Sequence, residues 1–162
     1  KIENYALQIF DAMKKFHGLG TRERLLLQIA SILHDCGKFI SLRDSSACAY
    51  NIIMATEIIG LSHAEREIVA EVVRCNLDAF RYGEGSIRAG KLTAMLRLAN
   101  AMDRSHHGRL DDGKLQVKGN KLIISTSYAG NLALETMAVE DKADFFEEMF
   151  GIRPEIRQKR RV

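Results

Sequence analysis

The sequence predicts a mainly helical protein that ends in a small α+β appendage. Apolar residues recur at three- and four-residue spacings as far as Met102, and after Gly108 they begin to alternate. The chain has 162 residues, of which 46% are hydrophobic and 28% are charged, so it is long enough and apolar enough to bury a core. We expect a helical domain over residues 1–108 and an α+β subdomain over residues 109–162.

Helical spacing is found in five segments of the first part. Glycines end several of them, and Ser62 followed by Glu65 has the capping-box pattern of a helix start. The predicted helices are Ile2–Phe16, Thr21 to about Gly37, Ala47–Ile59, Ser62 to about Asn76, and Ile87–Met102.

The appendage combines strands with one helix. Alternating apolar residues around Leu115 and Leu122 flank Gly119-Asn120, a two-residue hairpin signal. The remainder is predicted as a third short strand, a helix and a basic tail, over Asn131–Glu135, Val139–Phe150 and Arg157–Arg161 respectively.

Charge and cysteine usage narrow the range of partners. A net charge of +3 is too small to indicate a nucleic-acid-binding protein, and no apolar run is long enough to span a membrane. Cys36, Cys48 and Cys75 are far apart and form no CxxC pair, which predicts reduced thiols in a cytoplasmic protein.

The chain enters a helix directly after Lys1, so we expect it to be a fragment with further domains upstream.

The segment with the most chemical information is His34-Asp35, at the predicted end of a helix. Adjacent side chains leave a helix about 100° apart, so an imidazole and a carboxylate can reach one divalent ion such as manganese, iron or magnesium. Asp103 is a candidate third ligand. Two alternatives remain open: His34 and Asp35 bond to each other and to helix ends, and Asp103 pairs with a neighbouring arginine.

Five basic residues lie next to these segments and are candidates to line a channel for a polyanion. Guanidinium groups pair well with phosphate oxygens, whereas the alternative is that each is an ordinary solvated charge. They are Lys38, Arg43, Arg74, Arg97 and Arg104.

Two blocks together resemble a known superfamily. His34-Asp35-x-Gly37-Lys38 and the later segment from Leu96 to His106 resemble the HD superfamily, and more closely the C-terminal half of the Ppx/GppA phosphatases. Lys38–Asp44 and Ile59–Ser62 are also similar to that family, and the resemblance covers roughly Ile2 to Gly151.

The resemblance implies a mainly α fold, with an HD-domain-like helical bundle before the α+β appendage. It implies that phosphoanhydride hydrolysis belongs to actin-like N-terminal domains, which supply phosphate-binding loops, magnesium and a catalytic glutamate. No such loop occurs in this chain, so we predict no catalytic residue in it. The implied role is polyphosphate or guanosine pentaphosphate binding within the parent enzyme, together with contacts of a homodimer.

The sequence departs from the family at expected metal ligands. Ser45–Tyr50 stands where the family has a histidine cluster, and Arg74-Cys75-Asn76 stands where it has Arg-Tyr-His. The superfamily's first histidine would lie near or before Lys1. These departures count against the alternative function, a free-standing HD-type metal-dependent phosphohydrolase acting on nucleotides. A purely structural module is the other alternative. Whether the chain alone is an enzyme stays open, and we expect this fragment by itself to be inactive.

Overall fold

The computed structural model describes residues 2–34, 45–56, 58–77 and 87–159. Within them it contains helices α1 to α7 and strands β1 to β3. The helices are α1 Ile2–Ala12, α2 Lys14–His17, α3 Thr21–Leu33, α4 Ser45–Ala55, α5 His63–Leu77, α6 Ile87–Met102 and α7 Ala133–Phe150; the strands are β1 Lys114–Lys118, β2 Lys121–Thr126 and β3 Arg153–Gln158. The predicted fold class, mainly α with a small α+β part, is confirmed.

The chain divides into two compact units. One comprises residues 19–96, and the other comprises residues 1–18 together with residues 97–162. The boundary predicted after Gly108 lies inside the second of these, and the division into two domains at that point stays a prediction. We call residues 19–96 the central unit and the other the terminal unit.

The central unit is entirely helical in its described residues. Helix α5 packs against both α3 and α4. Its start follows the predicted capping box: the Glu65 N–H donates to Ser62 Oγ (3.1 Å), and the Ser62 N–H donates to Glu65 Oε1 (3.0 Å). The core is built from apolar side chains at helical spacing, among them Leu26, Leu27, Ile53, Val69, Val73, Leu92 and Met95.

In the terminal unit the first predicted helix is divided into α1 and α2 by a turn at Met13. His17 ends α2 and is fully buried, with its Nε2 2.9 Å from the Phe10 carbonyl oxygen and its ring 4.2 Å from the Phe10 ring. Gly18 follows with φ 66°, a left-handed conformation that glycine adopts without steric cost. The helical segment thus ends at His17, directly after the predicted end at Phe16.

The sheet of the terminal unit is mixed, in the order β1-β2-β3. The predicted hairpin is confirmed: β1 and β2 are antiparallel, with Lys118 opposite Lys121 across the turn, and Gly119 has φ 61°. Strand β3 pairs with β2 in parallel. Helix α1 packs against β1, and α7 packs against β3.

The third strand was predicted at the wrong place. Residues Ala133–Glu135 form the start of helix α7, and the buried residues Leu132, Glu135 and Val139 follow three- and four-residue spacing. A short apolar run by itself does not distinguish a strand from a helix. Here the helical spacing that continues to Val139 identifies the segment as helix.

The true third strand begins at Arg153 and includes Arg157, which we predicted in the basic tail. Only two of its residues, Pro154 and Ile156, are apolar, and the rest are charged or polar. So few apolar residues, one of them a proline, do not predict a strand. Pro154 is tolerated because β3 is an edge strand, where a missing N–H leaves no ladder bond unmade.

Among the described residues, no helix is long and apolar enough to cross a membrane.

Candidate functional site

His34 lies at the C-terminal end of α3, in the central unit, with helical backbone angles of φ −58° and ψ −23°. Its Nδ1 lies 2.6 Å from the carbonyl oxygen of Ser31. A carbonyl can only accept, so Nδ1 carries the proton and the lone pair of the neutral ring is on Nε2. This is the tautomer that a metal-binding histidine adopts when a carbonyl orients it. Asp35, its predicted partner, lies outside the described residues.

Asp103 follows α6 directly and belongs to the terminal unit. Its side chain is buried, with 5% exposure, and Oδ1 accepts a hydrogen bond from the backbone N–H of Gly108 (3.0 Å). The carbonyl of Asp103 accepts a second bond from the N–H of His106 (2.9 Å), a residue with positive φ of 61°. Asp103 therefore closes the turn after α6.

Tyr5 contributes to the same part of the terminal unit. It is buried, and its hydroxyl donates to Oδ1 of Asp111 at 2.5 Å. The pKa of Tyr5 is raised well above its usual range, first by burial, then by the hydrogen bond to Asp111, and further by the negative charges of Asp111 and Asp103. A neutral tyrosine thus connects α1 to the segment before β1.

Arg74 lies on α5 in the central unit, where its own helix holds it. Its Nη2 lies 2.5 Å from Oε1 of Glu71, and its guanidinium carbon lies 5.9 Å from the centre of the Tyr50 ring. An arginine held by a carboxylate one turn away must give up or share that pair before it binds a phosphate.

The other described basic candidates belong to the terminal unit. The guanidinium carbon of Arg97 lies 4.8 Å from the centre of the Phe145 ring, within the range of a cation–π contact. Arg104 follows α6 and is exposed. Lys38 and Arg43 lie outside the described residues. The structure brings Arg97, Asp103 and Arg104 into one unit and places His34 and Arg74 in the other, so a single site stays a prediction.

A comparison with protein families decides the identity of the chain. A family model described as Ppx/GppA phosphatase, domain III, matches residues 1–142, which is most of the chain. The chain belongs to this family. The resemblance found from the sequence is therefore confirmed, and the match ends inside α7. A comparison with curated proteins gives no match.

Domain III carries no recognisable metal centre in the part that the structure describes. No group of three or more His, Cys, Asp or Glu side chains there is arranged to hold an ion. Asp35 is outside that part, so the predicted ligand set of His34, Asp35 and Asp103 stays a prediction.

The prediction missed an ion pair of domain III, between the partly exposed Arg109 and the buried Glu135. Glu135 is fully buried, and its Oε1 lies 3.5 Å from Nη1 of Arg109, which also donates to the carbonyl of Asn131 (3.0 Å). The guanidinium lies 5.8 Å from the Tyr128 ring centre. The helical spacing of Leu132, Glu135 and Val139 was the signal that could have placed Glu135 in the core.

A second polar cluster fixes the end of β2. Asp112 accepts hydrogen bonds from Thr126 Oγ1 (2.7 Å), from the Ser127 N–H (3.0 Å) and from the Ser127 hydroxyl. These bonds, the one from the Ser127 side chain first, lower the pKa of Asp112 to about 2. The cluster stays charged at neutral pH and serves the structure of the sheet.

The terminal unit also has a surface groove of about 410 Å³ between α7 and β3. Its charged lining is mixed, with two cations and two carboxylates: Lys121, Arg153, Glu140 and Glu155. The cations already have partners, since Lys121 pairs with Glu155 at 3.4 Å and Arg153 pairs with Glu147 at 2.8 Å. A groove whose charges are balanced internally does not select a ligand of either sign.

Proposed function

We propose that this chain is an accessory domain of a phosphatase acting on polyphosphate or guanosine pentaphosphate. It binds the phosphate chain and contributes dimer contacts, while other domains of the parent enzyme hydrolyse the terminal phosphate with magnesium. The match of residues 1–142 to domain III of the Ppx/GppA phosphatases carries this proposal. The sequence contains no phosphate-binding loop, which supports an accessory role.

Arg104 is the predicted phosphate contact that the structure supports best. It is exposed directly after α6, in the turn that Asp103 closes, so its backbone is well anchored while its guanidinium faces solvent. Arg97 lies on the last part of α6 and is oriented by Phe145. The contact with Phe145 restricts the Arg97 side chain, so that side chain loses less conformational entropy when it pairs with a phosphate.

Binding of inorganic polyphosphate to the 162-residue chain tests the proposal. We expect affinity to rise with chain length and to fall steeply as salt is added, because several cations release counterions together. Arg104→Gln should weaken binding several-fold, whereas Lys15→Gln, which removes one exposed charge on α2, serves as the control. Binding that is independent of chain length would contradict the proposal.

The proposed dimer has its own measurement. Light scattering over a range of concentrations should give twice the mass of one chain at the highest concentrations. A constant monomer mass would remove dimer contacts from the role of this chain and would leave phosphate binding unaffected.

A further inference from the structure

The three-stranded sheet of the terminal unit has two chemically different faces. Side chains alternate along each strand, and cross-strand partners share a face. By this register one face has five basic side chains and one carboxylate among nine positions, and we call it the basic face: Lys114, Gln116, Lys118, Lys121, Ile123, Ser125, Arg153, Glu155 and Arg157. The opposite face has no charged side chain: Leu115, Val117, Leu122, Ile124, Thr126, Pro154, Ile156 and Gln158.

The charges of the basic face are neutralised on one side only. At β3, Arg153 pairs with Asp144 and Glu147 of α7, and Arg157 lies 3.5 Å from Glu155. At β1, on the other edge of the sheet, Lys114 and Lys118 are exposed, and within the described residues neither forms an ion pair. Excess positive charge is thus concentrated along β1.

The end of the hairpin places two cations opposite each other. Lys118 is the cross-strand partner of Lys121, and neighbouring strands are about 4.8 Å apart. Lys121 is paired with Glu155 at 3.4 Å, whereas Lys118 forms no ion pair within the described residues. The positive charge at this end of the hairpin that has no carboxylate partner is therefore that of Lys118.

We propose that the β1 edge of the basic face binds a chain of phosphate groups. Lys114 and Lys118 are four residues apart on one strand, a separation of about 13 Å, so a ligand must present several negative charges to meet both. Gln116 lies between them on the same face and can donate hydrogen bonds to phosphate oxygens. This site rests on the proposed function, and it adds residues that the sequence did not single out.

The absence of aromatic side chains favours a bare phosphate chain over nucleic acid. Sheets that bind single strands stack bases on exposed aromatic rings. None of the nine residues of the basic face is aromatic. Charge without a stacking surface fits a ligand that has phosphates and no bases.

Lysines on an edge strand can also serve to prevent pairing with another sheet. Phosphate binding and edge protection can be distinguished by experiment. Edge protection needs no ligand, so it does not depend on the length of a polyphosphate chain. Polyphosphate binding by a variant that lacks the charges of Lys114 and Lys118 therefore separates the two roles.

The test compares two double variants of the 162-residue chain, each lacking two exposed lysines. Lys114→Gln/Lys118→Gln changes the basic face, and Lys14→Gln/Lys15→Gln changes α2. With long inorganic polyphosphate at low salt, we expect the first to bind at least about fivefold more weakly than wild type and the second to bind within about twofold. Lys114→Arg/Lys118→Arg keeps both charges and should keep wild-type affinity.

Each outcome has one meaning. If the wild type binds polyphosphate and both Gln variants bind equally well, the β1 site is overturned while the proposed function stands. The same holds if Lys114→Gln/Lys118→Gln only aggregates more. If the wild type binds no polyphosphate, the proposed function fails and this inference fails with it. If a single-stranded oligonucleotide of equal charge binds as tightly, the commitment to a bare phosphate chain is overturned.

Discussion

Asp103 can be interpreted either as a metal ligand or as a hydrogen-bond acceptor that closes a turn. As a metal ligand it would be held by an ion, whereas in the structure it is buried and accepts the N–H of Gly108. A buried carboxylate needs such partners because its desolvation is costly. The turn after α6 uses the Asp103 carboxylate as an acceptor, so the stability of the chain measures its structural role.

Asp103→Ala should lower the free energy of unfolding by about 2 kcal/mol, because it removes a charge-assisted hydrogen bond from a buried position. Asp103→Asn keeps an acceptor for the Gly108 N–H and should cost clearly less. Urea unfolding with and without a chelator measures both. If the loss for Asp103→Ala disappears when chelator is present, the residue acts through a metal ion instead.

Helix α5 shows how a local pattern is extended by tertiary contacts. Ser62 and Glu65 form the capping box, and Arg22 of α3 then donates to Glu65 and to the carbonyl of Gly60. The hydrogen bond from Arg22, followed by that from the Ser62 N–H, lowers the pKa of Glu65 to about 2. The start of α5 is therefore tied to α3 as well as capped.

Removal of the cap has a predictable cost. Ser62→Ala should destabilise the chain by about 1 kcal/mol, because the Glu65 N–H loses its partner at the helix start. Ser62→Thr retains a hydroxyl and is the matched control. Equal stability of Ser62→Ala and wild type in urea would show that the cap is redundant.

The same box predicts a dependence on pH. The pKa of Glu65 is lower in the folded state than its ordinary value of 4.5, so its contribution to stability is present above about pH 4.5. That contribution is lost as the pH falls toward 2. Glu65→Gln should therefore lose less stability than wild type between pH 5 and pH 2.5. Parallel pH profiles for the two proteins would contradict this expectation.

At the scale of the whole molecule, metal content separates the two functions considered for domain III. The matched family is that of a phosphatase, yet this sequence has serine, alanine and asparagine where the family is expected to have histidine. The predicted ligands are then His34, Asp35 and Asp103, and hydroxyl, methyl and amide groups do not replace imidazole as ligands for such ions.

Elemental mass spectrometry of the purified chain, without added chelator, measures this directly. We expect manganese, iron and zinc each well below one ion per chain, and no change on His34→Ala. Near-stoichiometric metal that His34→Ala removes would instead support a free-standing metal-dependent phosphohydrolase. Phosphatase activity of the isolated chain on nucleotides would then be the next measurement.

Local patterns in the sequence by themselves determined most of the helices, the hairpin and the family. The capping box at Ser62, the turn at Gly119 and the blocks around His34 and Asp103 depend on residues near each other in the chain, so their outcome could be predicted.

The tertiary structure alone decided which segment forms the third strand and which partners several charged side chains have. Strand β3 exists because β2 offers a parallel partner distant in sequence, and Arg153 and Pro154 do not predict it. Likewise, pairing with Glu71 occupies Arg74, while the sheet register gathers Lys114, Lys118 and Lys121 on one face. The physical reason is that partners far apart in the chain set burial and cross-strand register, and single-sequence periodicity contains neither.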